Sequence, residues 1–279
     1  MTDPGFQMPT CGHFCLTTFG HVTAETLISY ADTRVFLAQH GLTNIRFPVV
    51  SGILVDKARN EAAAQMLADP ESQFLFFVDG DMQWQPDAVA RVFETAYKDL
   101  PDAAIVGGWC ALRGEGHIPT IDPGSGTWEP IAPNSGPMNV MRTGSAFVLI
   151  KRIVFETLTP PWYGIRYVPR PVDAFLEVDS FMRTKFDGDN PLRQQTEWQK
   201  AVACAQEDAR HVRDPKYPYQ HVGEDSNLAD RANAAGLRVV VQTNAVTQHV
   251  DKHLITPESH LEKMRDARAA EARASGVLG

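Results

Sequence analysis

Two aspartates one residue apart, Asp79 and Asp81, have the type and spacing that most clearly suggest chemistry. They follow residues 74–78, a continuous apolar run that is typical of a strand buried on both faces of a parallel sheet. Mg²⁺ and Mn²⁺ prefer carboxylate oxygens and leave room for substrate phosphates. Gly80 would let the backbone turn and approach a ligand closely. The alternative is a surface turn, because Asp-Gly-Asp is common in turns.

The same three letters occur again at residues 187–189. This second copy follows a segment that contains charged residues, and it precedes an Asn-Pro pair. That setting favours a plain turn. The sequence context, and not the tripeptide, therefore distinguishes the first copy as the candidate metal site.

A second acidic pair, Glu224 and Asp225, stands at the start of a predicted helix. Acidic residues are favoured there by the helix dipole, so capping alone is one explanation. The other is a general base, because a carboxylate within reach of an acceptor hydroxyl can take its proton during group transfer. The residues alone leave both explanations open.

Two further positions add groups that bind metals or anions. His249 follows the last predicted strand, and a neutral imidazole is a good ligand for manganese-like ions, although a lone histidine is often structural. Arg59 and Asn60 open the second predicted helix, where the guanidinium can fork onto phosphate or ribose oxygens. A solvated helix start is the alternative for this pair.

The elements that must position these residues alternate between strand and helix in the first half of the chain. This order predicts an α/β fold with a doubly wound sheet and ligands at the carboxyl ends of its strands. The predicted strands are 14–19, 44–50, 74–78 and 103–106, and the predicted helices are 24–39, 56–68 and 86–98.

The second half is less regular. Its predicted elements are a loop at 113–137, a strand at 139–150, a short helix at 151–158, a helix at 223–235 and a strand at 238–241. We expect a single domain over residues 1–255, with an irregular insertion at about 160–220 that serves as an acceptor loop or lid. Residues 256–279 are expected to form a C-terminal helix.

Composition limits the classes of partner. The chain has 279 residues with 34 acidic against 26 basic side chains, a net charge of −8. That balance does not favour a protein that binds nucleic acid mainly through phosphates, and it suits a divalent-cation site. The first residues lack the pattern of a signal peptide, and no apolar run is long enough for a membrane span. We therefore expect a cytoplasmic protein.

Taken together, several segments resemble the GT-A glycosyltransferases, in particular small family-2-like members from bacteria and phages. The resemblance covers about residues 14–250, and the order and spacing of its motifs are more specific than any one motif. It implies a GT-A, Rossmann-like mixed sheet flanked by helices. The matching segments are ARNEAAAQML, FLFFVDGDMQWQPDAVARVF, AAIVGGWC, TGSAFVLIKRIVFETL, GEDSNLADRANAAGLRVVV and TQHV.

The resemblance also implies an activity. In such enzymes a divalent cation, Mn²⁺ or Mg²⁺, is held on the diphosphate of a nucleotide-sugar donor, here by Asp79, Asp81 and His249. The Glu-Asp motif supplies the acceptor-side base, with Asp225 the usual candidate and Glu224 beside it. This implies metal-dependent transfer of a sugar to an acceptor hydroxyl with inversion, and a UDP-linked donor is a reasonable first choice.

The remaining donor contacts are implied by the same resemblance. The nucleobase, the nucleotide and the sugar would be bordered by Thr17, Thr18, Arg59, Asn60, Asp79, Gly80, Gly108 and Trp109. The acceptor is left open among a glycan, a lipid-linked sugar, a protein and a modified nucleobase of phage-type DNA. Two other functions compete: a sugar-phosphate nucleotidyltransferase, and a protein that binds a nucleotide-sugar without catalysis.

Overall fold

A mixed β-sheet with helices on both faces carries the candidate site. The computed structural model describes residues 9–18, 20–51, 54–111, 119–124, 131–169 and 219–250. The chain divides into two compact units, residues 1–164 with 224–279, and residues 165–223. In the first unit the described α-helices are α1 (Ala24–Gln39), α2 (Val55–Ala68), α3 (Pro86–Glu94), α4 (Arg152–Thr157) and α5 (Glu224–Ala234), and a π-helical turn at Thr95–Asp99 follows α3.

The strands include several that are only two or three residues long. In the first unit they are β1 (Cys11–Thr18), β2 (Asn44–Arg46), β3 (Val49–Ser51), β4 (Phe74–Asp79), β5 (Met82–Trp84), β6 (Ala103–Trp109), β7 (Ile121–Asp122), β8 (Pro137–Asn139), β9 (Arg142–Thr143), β10 (Phe147–Lys151) and β13 (Arg238–His249). In the second unit, β11 (Arg166–Pro169) pairs antiparallel with β12 (Tyr219–Val222).

The main sheet has the strand order β2-β1-β4-β10-β6-β13-β5, with β3 paired to β1 and β8 paired to β13. Strand β1 runs parallel to β2, β3 and β4, and β6 runs parallel to β13. Strand β10 is antiparallel to both β4 and β6, and β5 is antiparallel to β13. The predicted α/β class, a mixed sheet flanked by helices, is confirmed.

Alternating side chains of β4 supply the two faces of the core. Phe74, Phe76 and Val78 pack in one apolar cluster, while Leu75 and Phe77 pack in the other. All five are fully buried. The continuous apolar run before Asp79 therefore forms a strand covered on both faces, as predicted.

Some predicted boundaries are wrong. The predicted strand at 44–50 is divided into β2 and β3 around Pro48, which has no N–H to donate to a ladder. The predicted strand at 139–150 is divided into β8, β9 and β10. The last strand does not stop at residue 241, because a shift of register between Gln242 and Val246 lets β13 continue to His249.

Several predictions lie outside the described residues. These are the second Asp-Gly-Asp at 187–189, the C-terminal helix at 256–279 and most of the insertion at 160–220. Within the described ranges, no helix has the length and apolar character needed to cross a membrane.

Strand β6 packs closely against its neighbours because it contains two glycines. A Cβ atom added to Gly108 would lie 2.7 Å from Cδ1 of Phe147 and 2.8 Å from the carbonyl oxygen of Ala245. The second contact is with backbone, so it cannot be relieved by a side-chain rotation. Gly164 differs, because an added Cβ there would have only Cγ of Pro161 near it, at 4.0 Å.

We therefore predict that Gly108→Ala lowers the free energy of unfolding by about 1–3 kcal/mol, the usual cost of overpacking. Gly164→Ala is the matched control and should change it by less than about 0.5 kcal/mol. Urea denaturation followed by circular dichroism measures both variants. Equal effects would contradict the close packing of β6.

Candidate active site

The carboxyl ends of β1 and β4 lie side by side and bring two predicted site residues together. Thr17 is the register partner of Asp79 in this parallel pair. The Thr17 hydroxyl donates to Oδ1 of Asp79 at 2.7 Å and lies 3.2 Å from the carbonyl oxygen of Val78. The carboxylate at the end of the buried strand is thus oriented by a side chain of the neighbouring strand.

The turn after Asp79 lies against the loop that follows β1. The Gly80 carbonyl accepts a hydrogen bond from the Thr23 N–H at 2.9 Å. A Cβ atom on Gly80 would come within 3.1 Å of the Thr18 hydroxyl and 3.2 Å of the His21 carbonyl oxygen. Glycine therefore allows a close approach here between two parts of the chain. The Thr18 hydroxyl donates to the same His21 carbonyl.

A cavity of about 190 Å³ opens at this edge of the sheet. One part of its wall carries carboxylates and hydroxyls, and another part is formed by two small apolar residues at the start of α2. It is lined by Thr17, Thr18, His21, Val55, Ala58, Asp79, Gly80 and Asp81. Five of these residues were predicted from the sequence as donor or metal contacts, so the cavity is the candidate binding site.

Arg59 is buried beside this cavity and is not part of a solvated helix start. Its side chain is 4% exposed, and it forms ion pairs with two carboxylates. Nη1 donates to Oε1 of Glu224 at 2.6 Å, and Nη2 donates to Oδ1 and Oδ2 of Asp79 at 3.0 and 3.2 Å. Burial alone would lower the pKa of Arg59, but Asp79, with Tyr163, Glu224 and Asp225, outweighs burial and raises it.

Tyr163 is a site residue that the sequence did not reveal. Its ring lies over the Arg59 guanidinium, 5.6 Å from Cζ to the ring centroid, in a cation–π arrangement. Its hydroxyl lies 3.4 Å from Oγ of Ser145, and burial raises its pKa. The sequence signal was only an aromatic pair after Pro160-Pro161, with nothing to connect it to Arg59, 104 positions earlier by residue number.

Asn60 forms hydrogen bonds with backbone groups in this structure. Its Oδ1 accepts hydrogen bonds from the backbone N–H groups of Trp162 at 2.9 Å and Tyr163 at 3.1 Å. Its Nδ2 donates to the carbonyl oxygens of Tyr163 at 2.6 Å and Asp56 at 2.8 Å. The amide therefore holds the segment that covers Arg59, and a direct contact between Asn60 and a donor stays a prediction.

The acidic pair occupies the first turn of α5, and a role for Asp225 as general base stays a prediction. Oδ1 of Asp225 accepts a hydrogen bond from the Ser226 N–H at 2.7 Å, which is a local capping contact. Glu224 instead faces Arg59. The two carboxylates thus have different partners, although they are neighbours in the sequence.

His249 lies at the end of β13, beside the Asp81 segment. It is the register partner of Met82 in β5, and the next residue, Val250, donates its N–H to the Asp81 carbonyl at 2.7 Å. Nδ1 of His249 lies 2.6 Å from the Ala111 carbonyl oxygen. A carbonyl only accepts, so Nδ1 is the hydrogen-bond donor in this contact, as is common for the non-ligating nitrogen of a metal-bound histidine.

Gly108 and Trp109 do not line the cavity. Trp109 is fully buried, and its indole N–H donates to the Ile131 carbonyl at 2.9 Å. Gly108 lies beneath Phe147 and the backbone of Ala245. Both residues have packing roles in this structure, and their contact with a donor sugar stays a prediction.

The described residues do not form a complete metal cage. Within them, no three His, Cys, Asp or Glu side chains converge closely enough to hold an ion. Magnesium-type ions in nucleotide sites commonly use one or two carboxylates, and the substrate phosphates and water supply the other ligands. Asp79 and Asp81 are carboxylates of that kind at the cavity, and a joint metal site with His249 stays a prediction.

Comparison with known proteins shows similarity of fold. No protein-family model matches the chain, and no curated protein matches it. Among solved structures, A197 from STIV is 15% identical and has a TM-score of 0.51, over 89% of this chain and 91% of that chain. This likeness extends over nearly the whole of both chains, and at such low identity it shows a shared fold alone.

Similar solved structures also include glycosyltransferases. GalNAc-T7 with UDP, GalNAc and Mn²⁺ is 10% identical, with a TM-score of 0.41 over 89% of this chain and 45% of that chain. Glucosyl-3-phosphoglycerate synthase from Mycobacterium tuberculosis, in complex with Mn²⁺, UDP-glucose and phosphoglyceric acid, is 12% identical, with a TM-score of 0.34 over 80% and 93%. Scores this low carry no argument about this chain.

Proposed function

We propose that this chain is a metal-dependent glycosyltransferase of the GT-A type, which moves a sugar from a nucleotide-sugar to an acceptor hydroxyl. The observation that carries the proposal is the cavity at the carboxyl ends of β1 and β4, which is lined by Asp79 and Asp81. Ligands of open α/β sheets bind at such an edge. A cavity with adjacent carboxylates suits a nucleoside diphosphate accompanied by a divalent cation.

Asp81, His249 and Asp79 would hold Mn²⁺ or Mg²⁺ on the donor diphosphate. The fit rests on the chemistry of these donors: a carboxylate that lines the cavity, and an imidazole whose Nδ1–H is engaged by the Ala111 carbonyl. The cation supplies Lewis-acid stabilisation of the negative charge that develops on the departing diphosphate. UDP-linked sugars are the donors to test first.

Asp79 is positioned before any ligand arrives. Its Oδ1 accepts from Thr17 and Arg59, and its Oδ2 accepts from Arg59. A carboxylate held from two sides loses little conformational freedom when a ligand binds, so its electrostatic effect is preorganised. Thr17 and Thr18 then border the space in which the nucleotide would lie.

Asp225 is the proposed base on the acceptor side. As the acceptor oxygen attacks the anomeric carbon, Asp225 takes its proton, and the bond from that carbon to the diphosphate oxygen breaks. A single displacement of this kind inverts the anomeric configuration. The acceptor class stays open among the glycan, lipid-linked sugar, protein and nucleobase hydroxyls named above.

We predict that Asp81→Ala reduces metal-stimulated release of nucleoside diphosphate from the donor by about 100-fold or more, because a carboxylate ligand of the cation that stabilises the departing diphosphate is lost. The assay compares Mn²⁺ with excess chelator. Asp187→Ala is the matched control, since it alters the other Asp-Gly-Asp, and it should leave the rate unchanged. Full activity of Asp81→Ala, or of the wild type in chelator, would overturn the proposed metal site.

We predict that Asp225→Asn retains binding of nucleoside diphosphate with Mn²⁺ but loses turnover by about 1,000-fold, within the range for removal of a general base. Calorimetry measures the binding, and released nucleoside diphosphate measures the turnover. In the wild type, NMR coupling constants should show a product of inverted anomeric configuration. Loss of binding in the variant would make Asp225 structural, and a retained configuration would exclude the single displacement.

A further inference from the structure

One guanidinium connects Asp79 at the candidate donor site to Glu224, the neighbour of the proposed base. Arg59 of α2 holds Asp79 at the end of β4 through Nη2, and Glu224 at the start of α5 through Nη1. The Glu224 bond spans 165 positions of sequence. Each nitrogen serves a different carboxylate, so a movement of either carboxylate is transmitted to the other through a planar, rigid group.

We propose that Arg59 is a positioning residue, and that Glu224 is the anchor through which it places Asp225 toward the acceptor. The inference rests on the proposed function, and it goes further by giving the two acidic neighbours different roles. Glu224 is committed to an ion pair, while Asp225 is the carboxylate that meets the acceptor hydroxyl.

Because Arg59 is buried, the guanidinium and its carboxylate partners each depend on the ion pairs between them. A charge removed from water is tolerated only when it is paired at close range, and removal of one partner leaves the other uncompensated. Glu224 is 19% exposed and lies 2.6 Å from a nitrogen of a guanidinium that is 4% exposed. A charge-assisted bond this short, away from solvent, holds the Glu224 side chain in one orientation.

The guanidinium itself has little freedom to move. Tyr163 lies over its face, and Asn60 fixes the Tyr163 backbone from both its N–H and its carbonyl. Nε of Arg59 is buried without a hydrogen-bond partner among the described residues. In this orientation the side chain binds both carboxylates but forgoes a hydrogen bond at Nε. The two ion pairs, with Asp79 and Glu224, therefore determine its position.

Helix α5 does not need this bridge in order to dock. Asp230 accepts two hydrogen bonds from Arg142, at 2.7 and 3.0 Å. Asn227 donates to the Gly164 carbonyl at 2.7 Å, and Arg231 donates to the Pro161 carbonyl at 2.6 Å. Since these contacts lie along the body of the helix, the Arg59–Glu224 pair acts on the first turn, where Asp225 stands.

Helix geometry then separates the two carboxylates. Successive residues of an α-helix are rotated by about 100° around its axis. Glu224 forms the ion pair with Arg59, whereas Oδ1 of Asp225 accepts from the Ser226 N–H. The ion pair of Glu224 thus holds the backbone next to Asp225, while the Asp225 carboxylate bonds locally within the helix.

A double-mutant cycle tests the inference through kcat, donor KM and acceptor KM. Arg59→Lys should lower kcat by about 100-fold, because an ammonium is a point charge and does not reproduce the two-sided fork. Glu224→Ala should lower kcat by a similar factor while the affinity for nucleoside diphosphate with Mn²⁺ changes little. The double variant should be no more than about threefold worse than Arg59→Lys alone, since that change already removes the link to Glu224.

The conservative variant Glu224→Gln distinguishes an anchoring role of Glu224 from a role as general base. Glu224→Gln keeps an oxygen that can accept from Arg59, so its kcat should be about tenfold higher than that of Glu224→Ala. An amide cannot act as a general base, so a base at this position would lose the same activity in both variants. Equal losses in Glu224→Gln and Glu224→Ala would therefore overturn the inference, and so would losses that multiply in the double variant.

Two further variants serve as controls for the cycle. Asp87→Asn alters an exposed carboxylate paired within α3 and should leave kcat unchanged. If Arg59→Lys fails to fold by circular dichroism, Glu224→Asp gives the same test, because it keeps the charge but shortens the anchor; it should lose kcat like Glu224→Ala. A wild type that neither binds nucleoside diphosphate nor transfers sugar refutes the proposed function, whereas multiplying losses in an active enzyme refute this inference alone.

Discussion

The ion pairs of Arg59 are the interaction on which the arrangement of the candidate site depends. A guanidinium that is 4% exposed requires close anionic partners, and here Asp79 and Glu224 supply them from opposite sides. The pairing places the start of α5 beside the carboxyl end of β4. One positive charge between two carboxylates also leaves the cluster with an excess of negative charge, which favours a cation next to it.

The sheet provides the surface on which this pairing is built. Because β1 and β4 are parallel neighbours, Thr17 and Asp79 end at the same edge and in register. The short strand β5 then turns back to pair with the end of β13, which brings His249 to the segment that contains Asp81. A parallel and an antiparallel ladder thus bring Thr17 and His249, from distant parts of the chain, close to the segment that contains Asp79 and Asp81.

Local patterns predicted the parts of this structure that local physics determines. The buried strand before Asp79 follows from an apolar run, and the bounds of α1 follow from helical spacing with a glycine beyond its end. The bridge from Arg59 to Glu224, the cover provided by Tyr163 and the continuation of β13 past its bulge depend on tertiary pairing. No periodicity or composition within a single window records such contacts, so sequence reasoning missed them.

Two residues of one sequence motif can differ in role: one can contact a ligand while the other supports a residue that contacts it. Arg59 and Asn60 are adjacent, yet the first bridges two carboxylates and the second holds backbone groups. Position relative to the cavity makes the distinction: Asp79 and Asp81 line it, whereas the amide of Asn60 is bonded to backbone groups and is not among the lining residues. A polar group can act on a ligand directly only where it reaches the space that the ligand would occupy, and a buried group that bonds the backbone acts by holding the chain in place. The proposed ligand contacts therefore lie at the edge of the cavity, and the residues behind them fix its geometry.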